Sequence, residues 1–130
     1  MDNIKVPVSP GEVLDKITIL EIKSERMNDP EKVHNVQVEL ALLQETWDDN
    51  IRDNREIQAL QAQLKEINEA LWEIEDDIRD KEHAGEFDDR FIELARAVYV
   101  TNDKRSRVKK ELNLLLGSEI IEEKSYKDYK

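Results

Sequence analysis

The chain has 130 residues, 39% of them charged and 38% hydrophobic, with 3 Gly, 3 Pro, 5% aromatics and no Cys. That length suits one domain, and the scarcity of Gly, Pro, β-branched and aromatic runs points away from sandwiches, barrels and doubly wound sheets toward an all-α chain. A formal net charge of -11 with a pI near 4.7 disfavours attraction to nucleic acid or anionic lipid, and the lack of Cys excludes disulfides, Cys-bound zinc and a thiolate nucleophile.

A mean hydropathy of -0.75 would permit disorder, so the periodicity of the apolar residues decides. Ile4, Val6 and Val8 alternate around Pro7, which reads as an extended arm over residues 1–8. Ser9, Pro10 and Glu12 form a capping box, and Val13, Ile17, Leu20 and Met27, widened by Leu14, Ile19 and Ile22, predict a first helix over about 10–27. Asp29 and Pro30 open a second helix over about 30–47, in which Val33, Val36, Leu40, Leu43 and Trp47 follow coiled-coil spacing. The polar run from Asp48 to Asn54 carries no stripe and predicts a bend or short loop. Asp53 with Glu56 then caps a third helix over about 54–83, whose seam is Ile57, Leu60, Leu64, Ile67, Leu71, Ile74 and Ile78.

Gly85 supplies a residue that can end that helix in the left-handed conformation. Asp88 caps a fourth over about 89–116, with Phe87 and Ile92 placed as a hydrophobic staple. Its seam, Leu94, Val98, Thr101, Arg105, Val108, Leu112 and Leu115, is polar at two successive positions. A short connection makes the third and fourth helices a long antiparallel hairpin, on which the two shorter N-terminal helices pack, all within one domain spanning 1–130. The tail, 118–130, holds Ile120, Ile121, Tyr126 and Tyr129 among charges and either docks or frays. More apolar stripes, including the face marked by Trp72, exist than one hairpin covers, so a homodimer or a compact bundle is expected, the homodimer preferred.

Several stretches carry a resemblance. They are Pro7 to Lys23, Leu71-Trp72-Glu73-Ile74-Glu75-Asp76, Phe91 to Asn113, and Gly117-Ser118-Glu119 with Glu122 to Tyr126. The chain is similar, over nearly its whole length, to a family of small bacterial and phage proteins of unknown function, DUF6165. The resemblance implies a surface-polysaccharide setting; it implies no reaction and no site residues.

Candidate chemistry is sparse. Glu31 with His34, and Asp80 with His83, have the i, i+3 spacing of di-iron ligands, yet sit at helix ends where a solvated surface is the simpler account. Glu66-x-x-Glu69 and Glu73-x-x-Asp76 resemble magnesium carboxylates, but both pairs lie on one helix instead of facing across a cleft. No metal and no cofactor is therefore expected. Lys104, Arg105, Arg107, Lys109 and Lys110 form a basic cluster, expected to pair with Glu45, Asp48, Asp49 and Asp53 across the bundle. No aromatics interleave with it, which argues against nucleic acid.

The sharpest irregularity is the polar break, which reads first as fixing the register of helix packing and otherwise as a ligand pocket, with Thr101, Asn102, Asp103, Arg105 and Lys109 the ligand or partner-binding candidates. A guanidinium at a seam position needs an anion, and Glu66, Glu69 and Asn68 lie at the right height on the third helix. No segment approaches a membrane span and no signal peptide is evident, so a soluble cytoplasmic chain is expected. The leading functional expectation is a non-enzymatic helical interaction module with an unidentified protein partner. The alternative is a small all-α enzyme or binding protein for a phosphorylated or nucleotide-sugar ligand, and a concave cleft where polar groups converge would distinguish it.

Overall fold

The computed structural model describes residues 1–129, and all regular structure among them is helical. Four helices follow in order: α1 (Pro10–Arg26), α2 (Pro30–Asn50), α3 (Arg55–Ala84) and α4 (Asp89–Leu115). Side chains satisfy the free amides at each start. Ser9 Oγ accepts from the Glu12 N–H at 3.2 Å, Asp29 from those of Glu31 and Lys32, and Asp88 from that of Phe91 at 3.0 Å.

Four local expectations change. The cap of α3 is Asn54, accepting from the Ile57 N–H at 2.9 Å, while Asp53 accepts from the Asn54 N–H and the Gln58 amide. The bend shrinks because α2 continues through Asp48, Asp49 and Asn50. No Gly or Pro interrupts those residues, and Gln44–Asp48 and Asn50–Thr46 hydrogen bonds brace the last turn. The staple fails: Phe87 packs edge-to-face on Phe91, centroids 5.2 Å apart, and Ile92 is exposed. Leu115 also points outward, and Leu116, leaving helical geometry at the C-cap, packs against the core in its place.

The hairpin of α3 and α4 turns on Gly85, whose φ of 67° suits a residue without a Cβ. At about 1.5 Å per residue, the 30 residues of α3 span about 45 Å. Helix α1 lies against both arms, antiparallel to α4, and α2 folds back on α1. The core forms where Leu14 and Ile17 of α1 meet Ile57, Leu60 and Leu64 of α3, Val108 and Leu112 of α4, and Trp47 of α2. Gly11 permits the closest approach. Its N–H donates to Asn113 Oδ1 at 2.7 Å, and a Cβ there would stand 2.6 Å from the Lys109 carbonyl oxygen.

Burial along the α3 seam is graded, since Leu64 is 1% exposed whereas Leu71 is half-buried beside a surface cleft. Leu64→Ala is expected to cost about 2–5 kcal/mol and Leu71→Ala clearly less. Urea titration at unchanged m-value checks the order of the two midpoints.

Candidate functional site

The polar break in α4 closes on α1. Arg105 donates from Nε to Asp15 Oδ1 at 2.9 Å and from Nη2 to Oδ2 at 2.5 Å, and the Asp15 side chain is 1% exposed. Asn68 on α3 donates to the same Oδ1 and to Thr18 Oγ1, both at 2.9 Å, while Thr18 donates back to the Asp15 carbonyl at 2.8 Å. Three helices thus converge on one carboxylate. The hydrogen bond that Arg105 donates to Asp15 raises its pKa above the ordinary value against the opposing effect of burial, so the guanidinium is charged at any working pH.

This replaces the expected partners. Glu66 is exposed, Glu69 lies 3.5 Å from Arg26, and Asn68 reaches the arginine only through Asp15. The physical reason is that α1 lies against both α3 and α4 and brings its own carboxylate to Arg105. The basic cluster is corrected too. Lys109 Nζ lies 2.8 Å from Glu12, 3.6 Å from Glu122 and 3.9 Å from Asp15, and Lys110 pairs with Glu123 at 3.1 Å. Glu45, Asp48 and Asp49 belong to α2, which packs on α1 and not on α4. Glu12, expected to close the capping box, is drawn to Lys109 instead.

After Gly117 the tail runs back beside α4 and docks. Tyr129 meets Tyr99 edge-on with centroids 5.0 Å apart and hydrogen-bonds Asp103, which holds the phenol proton and raises its pKa. Glu122, hydrogen-bonded by Lys124 and near Lys109, titrates below the usual glutamate range. Between tail and helix lies a cleft of about 970 Å³. Asn102, Asp103, Arg105 and Lys109 line it; Thr101, half-buried in α4, does not. Arg107 and Lys127 line it as well and form no hydrogen bond or ion pair among the described residues.

Sequence reasoning missed the tail residues Lys124, Tyr126 and Lys127 on this wall, and Glu12 and Asp15 on α1. The available signal was Asp15 itself, a carboxylate beside Leu14 within a wide apolar face. On the other side of Arg105 lies a second cleft of about 360 Å³, walled by Ile19, Ile22, Leu71 and Trp72 with Glu75 and Asp76. Asn102 and Arg105 line both.

Glu69 and Glu73, considered above as metal carboxylates, receive Arg26 at 3.5 and 3.4 Å. Glu31, His34, Asp80 and His83 are exposed, and no group of three His, Asp or Glu is placed to hold a metal ion among the described residues. Nor, among those residues, is any helix long and apolar enough to cross a membrane.

Comparison with known proteins matches residues 4–129 to the model of a family of unknown function, DUF6165, and the chain belongs to that family. Neither a curated protein nor a solved structure gives a significant match.

Removing Asp15 leaves the half-buried Arg105 without its carboxylate and Asn68 without an acceptor, so Asp15→Ala is expected to cost about 1.5–3 kcal/mol. Combining Asp15→Asn with Arg105→Met is expected to cost less than the two changes added separately; a double-mutant cycle by chemical denaturation measures the coupling. The tail has its own pH signature. The depressed Glu122 pKa gives stability that is present above the ordinary glutamate value and lost as pH falls through the lowered one. The raised Tyr129 pKa gives stability that is present below 10.0 and lost as pH rises through the raised value. Amide hydrogen exchange of residues 118–129, corrected for intrinsic rates, is therefore expected to show greatest tail protection between those limits, with helix-core amides protected throughout.

Proposed function

We propose that this DUF6165 member is a helical binding module whose large cleft takes a small phosphate-bearing anion. The observation that carries the reading is the wall of that cleft, where Arg107 and Lys127, which form no hydrogen bond or ion pair among the described residues, stand with an Arg105 already held in place. Asp15 occupies the Nε and Nη2 edge of Arg105 and fixes its plane; Nη1, only 3.4 Å from Asn102 Oδ1, keeps further donor capacity. A rigid, partly desolvated guanidinium beside two further exposed cations suits phosphate oxygens, which accept bidentate and point-charge contacts alike. The volume falls in the range of small-molecule sites. A partly closing tail held by exposed ion pairs fits entry and release without unfolding the helices.

Isothermal titration with pyrophosphate tests this. Binding is expected to weaken with added salt and to fall by about tenfold or more in Arg107→Gln, a loss of about 1.4 kcal/mol. Absence of binding at millimolar pyrophosphate and low salt overturns the reading.

A second reading, self-association, draws on α2. Val38 and Leu42, one turn apart, are 48% and 45% exposed on its outward side. Light scattering at micromolar concentration is expected to give about twice 15.3 kDa, and Val38→Glu with Leu42→Glu to return the mass to that of one chain. A wild-type mass of a single chain overturns the homodimer.

A further inference from the structure

The two clefts that meet at Arg105 differ in chemistry, and the difference orients a ligand. In the larger one, with Arg105 balanced by Asp15 as in the smaller, Arg107, Lys109, Lys124 and Lys127 equal Glu12, Asp103, Glu122 and Asp128 in number, but Arg107 and Lys127 form no hydrogen bond or ion pair among the described residues. In the smaller one, Arg105 is the only cation among the described lining residues, already balanced by Asp15, and the carboxylates of Asp76 and of Glu75, the latter 3.6 Å from Arg79, disfavour an anion. The remaining walls there are the apolar side chains of Ile19, Ile22 and Leu71 and the half-buried indole of Trp72. A volume of about 360 Å³ is at the lower end of ligand sites and suits one ring system.

We infer that the clefts form one bipartite site across Arg105, taking a phosphorylated compound whose other end is a ring bearing N–H or O–H donors, with a nucleoside diphosphate the best fit. This rests on the anion reading of the larger cleft and adds the identity of the other half. The phosphates sit with Arg107 and Lys127. The connecting part crosses the exposed face of the Arg105 guanidinium, which stacks well on planar groups. The ring lies against Trp72, gaining aromatic contact, and its donors find acceptors in Glu75 and Asp76. Asn102, lining both clefts, can donate to or accept from the linking sugar.

The test compares pyrophosphate with ADP, UDP and glucose 1-phosphate by titration calorimetry on the full chain. At least one ring-bearing probe is expected to bind tenfold or more tightly than pyrophosphate. Trp72→Ala is expected to remove that advantage while leaving pyrophosphate affinity within twofold. Because Trp72 also packs, the paired change Glu75→Ala with Asp76→Ala, at the rim, serves as the second variant and is expected to reduce the same advantage; circular-dichroism melting verifies that both variants fold. Gain of affinity with nucleoside diphosphates identifies a base, and gain with glucose 1-phosphate alone identifies a sugar as the ring. If every ring-bearing probe binds no tighter than pyrophosphate, or if neither variant alters the difference, the bipartite inference is overturned and the anion site stands. If no phosphate-bearing probe binds, the anion reading falls and this inference with it.

Discussion

Everything in the body of the molecule is arranged around the carboxylate of Asp15. Burying a charge in a protein interior carries a large desolvation cost unless partners replace the lost water. Here Arg105 supplies two hydrogen bonds and Asn68 a third, from two different helices. That requirement couples α1 to α3 and α4 at one height: a slide of α1 by one residue along the hairpin would rotate and shift Asp15 away from both partners. An apolar core of Leu, Ile and Val tolerates such slips more readily, because dispersion contacts are not directional. The buried pair therefore specifies the register of packing, and the layer of Leu14, Ile17, Leu64 and Leu112 supplies the driving force.

The same carboxylate conditions the electrostatics of the cleft. By pairing with Arg105 from inside, Asp15 offsets the cost of placing a guanidinium in a seam position. Lys109 is likewise surrounded, by Glu12 and Glu122. The acidic surplus of the chain is placed elsewhere, with Asp76, Asp77, Asp80 and Glu82 exposed along the end of α3. A net charge of -11 thus coexists with a cleft wall on which five basic side chains stand among four carboxylates. Low-dielectric flanks and short distance make such a local arrangement matter more to a small ligand than the total charge.

Stability is distributed unevenly. Around Asp15 three helices pack together, whereas the hairpin tip has a thinner apolar contact, the Phe87–Phe91 ring pair and the ion pairs of Lys81 with Glu86 and Asp88. Exposed ion pairs contribute little individually. The tail is held in a similar way, by Lys110–Glu123, Lys109–Glu122 and a tyrosine pair. Tip and tail are accordingly the segments that open first, and the tail is the one that borders the larger cleft.

Local chemistry in the sequence determined the helices themselves. Ser9, Asp29 and Asp88 are caps because their short side chains reach first-turn amides, and Gly85 turns the hairpin because its φ is positive. The buried Ile57, Leu60 and Leu64 were legible for the same reason, since a 3.6-residue period reports which side chains share a face. Arg105 was legible as an anomaly in that period. Its partner was not: Asp15 lies 90 residues away, and periodicity within one helix says nothing about which other helix covers the face. Glu66 and Glu69 had the right height and charge, but only the placement of α1 between the arms of the hairpin selected Asp15 over them. The tail presented the same limit, because its charges and tyrosines suit solvent equally well until α4 offers Tyr99, Asp103, Lys109 and Lys110 within reach. Sequence determined the elements and their inward faces through short-range hydrogen bonding and hydrophobic period; tertiary packing alone decided which polar groups meet, because a buried charge takes the partner that the fold brings nearest.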